Sequence, residues 1–130
     1  MRTTRFLATA ALLAFATSGC VAAAAAAGAG AGIYLTGQGA ESIVTAPIGQ
    51  VADRSRIVMQ QMNISPTGTE MNGDGSEREL KGRTGETDIT IELEAQSDTT
   101  TRVEVTAREN PVEFDQDLAR DILERIVALR

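Results

Sequence analysis

Between Arg5 and Glu41 the chain carries no charged side chain, and this gap sets how the sequence can fold. The gap holds an apolar run, Phe6–Thr17, and a low-complexity stretch, Val21–Gly32, that reads VAAAAAAGAGAG. Alanine favours helix, the alternating glycines undo it, and neither brings enough side chain to build a core. That stretch is expected to be a tether, reaching about 40 Å if extended at about 3.3 Å per residue. Globular patterning begins after it, so the folded unit is expected over residues 33–130. That length suits a single domain with one modest core.

Arg2 and Arg5 precede the apolar run, and the small residues Ser18 and Gly19 follow it. A basic start, a short apolar stretch and a small-residue exit describe a secretory signal peptide, here over 1–19. The segment Thr17-Ser18-Gly19-Cys20 resembles the lipobox of bacterial membrane lipoproteins, with Thr17 where Leu or Val is usual. The resemblance implies cleavage before Cys20, which becomes an acylated N-terminus carrying chains such as palmitate. Cys20 is the one cysteine of the sequence, so an intrachain disulfide is impossible. An intermolecular bridge or a free thiol is the other use of a lone cysteine, but its place after the apolar run favours acylation. Each buried methylene contributes about 0.8 kcal/mol, so several acyl chains suffice to hold the protein on a bilayer. Val21 after Cys20, rather than Asp, resembles the outer-membrane sorting pattern of enteric lipoproteins, which implies a domain facing the periplasm. Two other outcomes are open. The uncharged run Phe6–Ala40 exceeds the roughly 20 residues of a single membrane span. Cleavage at an Ala-x-Ala site within Ala22–Ala27 would release a soluble domain.

Charge and residue types narrow the function classes. The formal charge is −6, and losing Arg2 and Arg5 makes it two units more negative. Such a surface repels phosphate, so no nucleic-acid partner is expected. The sequence has no histidine, which removes the commonest general base and transition-metal ligand along with Ser-His and Cys-His nucleophile pairs. With Cys20 committed to the terminus, cysteine-rich zinc sites are out as well. No catalytic, cofactor-binding or metal-binding residue is therefore assigned, and an enzyme is the least expected class. Glu70, Asn72, Asp74 and Gly75 echo the start of an EF-hand loop, but its twelfth position, which needs a bidentate Glu, is Lys81. Gly28, Gly30 and Gly32 are not followed by the Lys-Ser/Thr of a phosphate loop.

The domain's elements follow from apolar spacing. Tyr34–Thr45 reads as a strand weakened by Gly37 and Gly39. Pro47 then suits the first turn of a helix over Ile48–Met62, with Val51, Ser55, Val58, Met59 and Met62 on one stripe and Asn63 as a left-handed stop. Those methionines are expected in the core. Ser65-Pro66 breaks the chain, and Thr67–Gly75 reads as loop. Glu77–Thr84 is a weak strand, Gly85-Glu86 a two-residue hairpin turn, and Asp88–Gln96 and Arg102–Arg108 alternate clearly. Pairing Leu93 with Val103 sets Glu94 opposite Arg102, Thr90 opposite Thr106 and Asp88 opposite Arg108, at the cost of facing Glu92 with Glu104. Asp115–Arg130 is the strongest helix, with Leu118, Ala119, Ile122, Leu123, Ile126 and Leu129 on one face and Arg120–Glu124 and Asp121–Arg125 at pairing distance on the other. Phe6 and Phe15 leave with the signal, so the core must be Val, Ile, Leu, Met and Ala.

The order β-α-β-β-β-α predicts an α+β domain: a four-stranded antiparallel sheet with both helices on one face. Its outer face would carry Glu79, Glu92, Glu94 and Glu104 interleaved with Lys81, Arg83, Arg102 and Arg108, in the simplest reading a solvated polar surface. The layout of tether and domain resembles an uncharacterised family of small Gly/Ala-tethered bacterial lipoproteins, which implies no particular activity. The expectation is a lipid-anchored envelope protein, attached to the membrane through Cys20, that binds another envelope protein. The alternative is a periplasmic carrier of a small apolar ligand held between helices and sheet.

Overall fold

A computed structural model of the chain describes residues 32–130. The expected signal segment 1–19, the expected acylation site Cys20 and all of the expected tether but Gly32 lie outside the described residues. The domain is α+β, as the patterning predicts. Its elements are β1 (Tyr34–Leu35), β2 (Gly39–Val44), α1 (Ile48–Gln61), β3 (Ser65–Met71), β4 (Glu77–Thr84), β5 (Thr87–Ser97), β6 (Thr100–Asn110), β7 (Glu113–Phe114) and α2 (Gln116–Ala128).

The central strands form where alternation is strongest. Asp88 to Glu94 pair with Arg108 to Arg102 in the register that matches charges, with Leu93 opposite Val103 and Glu92 opposite Glu104. Ile89, Ile91 and Leu93 of β5 and Val103, Val105 and Ala107 of β6 are buried on one face. Gly85 supplies the left-handed conformation (φ 58°) of the β4–β5 turn.

Three strands beyond the expected four complete a seven-stranded antiparallel sheet ordered β1-β2-β6-β5-β4-β3, with β7 on β6. The segment Tyr34–Thr45 is two strands rather than one. Thr36 turns the chain, its Oγ1 accepting from the Gly39 N–H at 3.0 Å, and β1 folds back along β2. The segment Thr67–Gly75 is not all loop, because its first half belongs to β3. This strand pairs with β4 alone, and Gly68 is its one residue that is not exposed. Exposed along nearly all of its length, β3 needs no apolar alternation, so its sequence gives no periodic signal. Pro66 is tolerated because β3 is an edge strand and bulges between Pro66 and Gly68. Strand β7 is two residues long, too short for a pattern, and the Arg108 guanidinium lies 5.2 Å from the centroid of the Phe114 ring.

Helix α1 carries the chain across the sheet from β2 to β3. Four strand spacings of about 4.8 Å separate them, and 14 helical residues at about 1.5 Å each span about 21 Å. Val51, Ala52, Ser55, Val58 and Met59 are buried beneath it. The Ser55 hydroxyl donates to the Val51 carbonyl at 2.8 Å, which satisfies a polar group in the core. Asn63 takes the left-handed conformation (φ 55°) just past the helix end. Helix α2 starts on Asp115, whose carboxylate accepts from the Leu118 N–H at 2.9 Å, and buries Ala119, Ile122, Leu123 and Ile126. Both helices lie on the apolar face. The buried core contains no aromatic side chain, so its packing rests on branched aliphatics.

Gly39 fits β2 against β6 where a side chain would not. A Cβ there would lie 1.9 Å from the Val105 carbonyl oxygen, whereas a Cβ on Gly37 meets nothing within 4 Å. Gly39→Ala is expected to lose about 3 kcal/mol of unfolding free energy, and Gly37→Ala well under half of that. Urea unfolding of the two variants checks the difference.

Candidate functional site

On the face away from the helices, strand register assembles a row of five glutamates. Glu41 of β2 pairs with Glu104 of β6, Glu104 with Glu92 of β5, Glu92 with Glu79 of β4, and Glu79 with Glu70 of β3. Neighbouring strands are about 4.8 Å apart, so the carboxylates stand side by side across the sheet. The sequence placed Glu79, Glu92, Glu94 and Glu104 on this face. It missed Glu41, whose strand reaches β6 only through a long-range pairing, and Glu70, which read as loop.

Two cations order the row. Arg102 reaches Glu41 at 3.0 Å, Glu94 at 3.1 Å and Glu104 at 3.2 Å. Its planar fork suits such divided pairing better than an ammonium would. The Lys81 ammonium reaches Glu79 at 2.6 Å and Glu70 at 2.9 Å. Bonding to Glu41 and Glu94 holds the Arg102 guanidinium more firmly charged, and Glu79 with Glu70 does the same for Lys81. In return the Arg102 hydrogen bond lowers the pKa of the Glu41 carboxyl. Glu92, at the centre of the row, has neither cation as a direct partner. Although Glu92 is exposed, partial desolvation by its neighbours raises its pKa, and the charges of Glu104 and Glu79 raise it further.

A shallow groove of about 560 Å³ runs along this face, lined by Glu70, Glu79, Glu92, Glu104 and Arg102 among others. Beyond the row, Arg83 pairs with Asp88 at 2.7 Å, and Asp88 faces Arg108 across the strands. Among the described residues no group of three or more carboxylates, thiols or imidazoles has the geometry to hold a metal ion. The EF-hand-like segment is a hairpin turn. Asn72 Oδ1 accepts from the Glu77 N–H at 3.0 Å, and Asp74 Oδ1 accepts from the Ser76 hydroxyl at 2.7 Å and its N–H at 3.0 Å. Lys81 lies on β4 bonded to Glu70, so the two ends of the would-be loop are an ion pair. Met59 is buried and Met62 packs against the core, as the helical stripe predicts.

A second groove, of about 510 Å³, lies between α1 and the β3 edge. Met59, Ile64, Pro66 and Leu80 give it apolar walls, and Arg56 and Gln60 rim it. Gly82 keeps this corner tight, since a Cβ there would come within 2.5 Å of Met59 and 2.6 Å of Ile64.

Arg102 neutralises charge that the row cannot disperse by itself, and its pairs are part-exposed, so their contribution is modest and salt-sensitive. Arg102→Met is expected to lose about 1 kcal/mol near neutral pH at low salt. Glu41 titrates lower in the folded state than in the unfolded one, so its stabilisation is present above the ordinary carboxylate range (about pH 4). It is lost as pH falls through the lowered folded value. The gap between wild type and Arg102→Met should therefore close in acid, as urea unfolding across pH will show.

A family model described as a protein of unknown function, DUF3568, matches residues 4–128. No curated protein matches the chain.

Proposed function

Because the chain belongs to this family of unknown function, no activity comes with its membership, and we propose that it is a lipid-anchored cell-envelope protein that acts as a non-enzymatic binding or assembly module. The observation that carries the reading is Cys20, placed directly after a short apolar run and ahead of a tether that leads into the domain at Ile33. Acyl chains on that cysteine hold the protein at a leaflet, in this reading the outer membrane with the domain in the periplasm. The family match over residues 4–128 takes in the leading segment as well as the domain. Among the described residues no helix is long and apolar enough to cross a membrane.

Two surfaces of the domain suit a protein partner. The β3 edge is exposed along most of its length and offers main-chain groups to an added strand, although Pro66 and the bulge blunt its first residues. The outer sheet face presents ordered negative charge that complements a basic segment. The outer sheet face stands clear of the helices, while the β3 edge borders α1 along the second groove.

The test joins mass and contact. The mature protein from membranes should have the mass of a chain starting at an acylated Cys20, and Cys20→Ala should lose both the added mass and membrane retention. An intact Met1 start points instead to an uncleaved single-span anchor. Photo-crosslinkers placed on β3 should capture an envelope protein, and a domain that contacts no protein from any surface defeats the binding role.

The groove between α1 and β3 favours one other reading, a carrier of a small apolar ligand. Its volume falls within the range of small-molecule sites. Under that reading native mass spectrometry of the purified protein shows a bound apolar species, and Pro66→Glu, which puts a charge on an exposed part of the groove wall, loses it. A persistently empty protein removes the carrier role.

A further inference from the structure

The glutamate row has a member that the ion-pair network leaves over. We propose that Glu92 is a proton-accepting group, so that in mild acid the outer face sheds one negative charge and the sheet becomes more stable. The inference stands apart from the anchoring and binding roles, since it rests on strand register and on the charges beside Glu92.

The surroundings of Glu92 define the device. From β6 it faces Glu104 directly, with Arg102 and Thr106 on the diagonals. From β4 it faces Glu79, with Glu77 and Lys81 on the diagonals. On its own strand Thr90 and Glu94 point to the same side, and among the described residues no helix covers this face. Directly opposed residues have Cβ atoms about 4.5–5.5 Å apart, so the register sets Glu92 between two carboxylate-bearing neighbours. Both nearby cations are already engaged. Arg102 divides its guanidinium among Glu41, Glu94 and Glu104, and Lys81 bridges Glu70 and Glu79. Their charge reaches Glu92 and opposes protonation, but the burial and carboxylate contributions are larger.

Protonation turns the central repulsion into attraction. A neutral Glu92 carboxyl has one O–H to donate to a facing carboxylate, as paired carboxyls sharing a proton do. The folded state then binds that proton more tightly than the unfolded chain. Its stabilisation is fully present below the unfolded glutamate value and is lost as pH rises through the folded one. Glu41 and Asp88, whose pKa values are lowered by Arg102 and Arg83, act in the opposite direction. The signature of Glu92 is therefore a difference between variants rather than the total stability curve.

The test is a carbon-detected NMR titration of the side-chain carboxyls of the full-length chain in a zwitterionic detergent, with urea unfolding alongside it. Glu92 should titrate above the ordinary glutamate value, and Glu104→Gln should move its midpoint downward. Glu92→Gln should be more stable than wild type near neutral pH, with the advantage vanishing as pH approaches the ordinary glutamate range. A Glu92 midpoint at or below the ordinary value overturns the proposal, and the wild-type titration reads this even if a variant fails to fold. An advantage of Glu92→Gln that does not change with pH also overturns it.

Discussion

The pairing of β2 with β6 is the constraint on which the rest of the domain depends. Gly39–Val44 lies along Thr101–Thr106, joining residues some sixty positions apart. Closing so long a loop costs entropy that local contacts do not return, and the return comes from burial. Ala40, Ser42 and Val44 pack onto the core face beside Val103 and Val105, and α2 covers both strands. Thr101 ties the junction by donating its hydroxyl to the Ala46 carbonyl at 2.8 Å, in a fully buried position. Once β2 is seated there, α1 must cross the sheet to reach β3, which makes β3 an edge strand. The exposed edge and the outer glutamate row both follow from that single long-range pairing.

The same pairing sets the electrostatics of the outer face. Without β2, Arg102 would serve Glu94 and Glu104 only. With it, Glu41 joins the network and the row gains its fifth carboxylate. The domain tolerates the accumulated charge because the face is open to water, where repulsion between neighbours is small. Glu92 is where that tolerance is weakest, because it stands in the middle of the row between Glu104 and Glu79 and, among the described residues, has no cation of its own.

Much of this was legible in local patterning. The β5–β6 register follows from matching Asp88 with Arg108 and Glu94 with Arg102, although it faces Glu92 with Glu104. The stripe on α1, the Asn63 stop, the Gly85 turn and the apolar face of α2 were all readable, because each depends on residues a few positions apart. The missed strands share one cause. β3 is exposed and carries no alternation, β1 and β7 are too short to show any, and all three are held by neighbours rather than by their own sequence. For the same reason Glu41 and Glu70 were absent from the expected face.

What the sequence by itself determined is an α+β domain with an aliphatic core, set after a charge-free stretch from Phe6 to Ala40 that holds the one cysteine. Those properties are sums over nearby residues, so no partner is needed to read them. Only the tertiary structure decided that β2 inserts beside β6, that β3 closes the far edge, and that five glutamates from five strands meet in a row. Contacts of that kind depend on which strands become neighbours. Neighbourhood in a sheet is settled by the burial gained when distant segments pair, and a single segment carries no record of it.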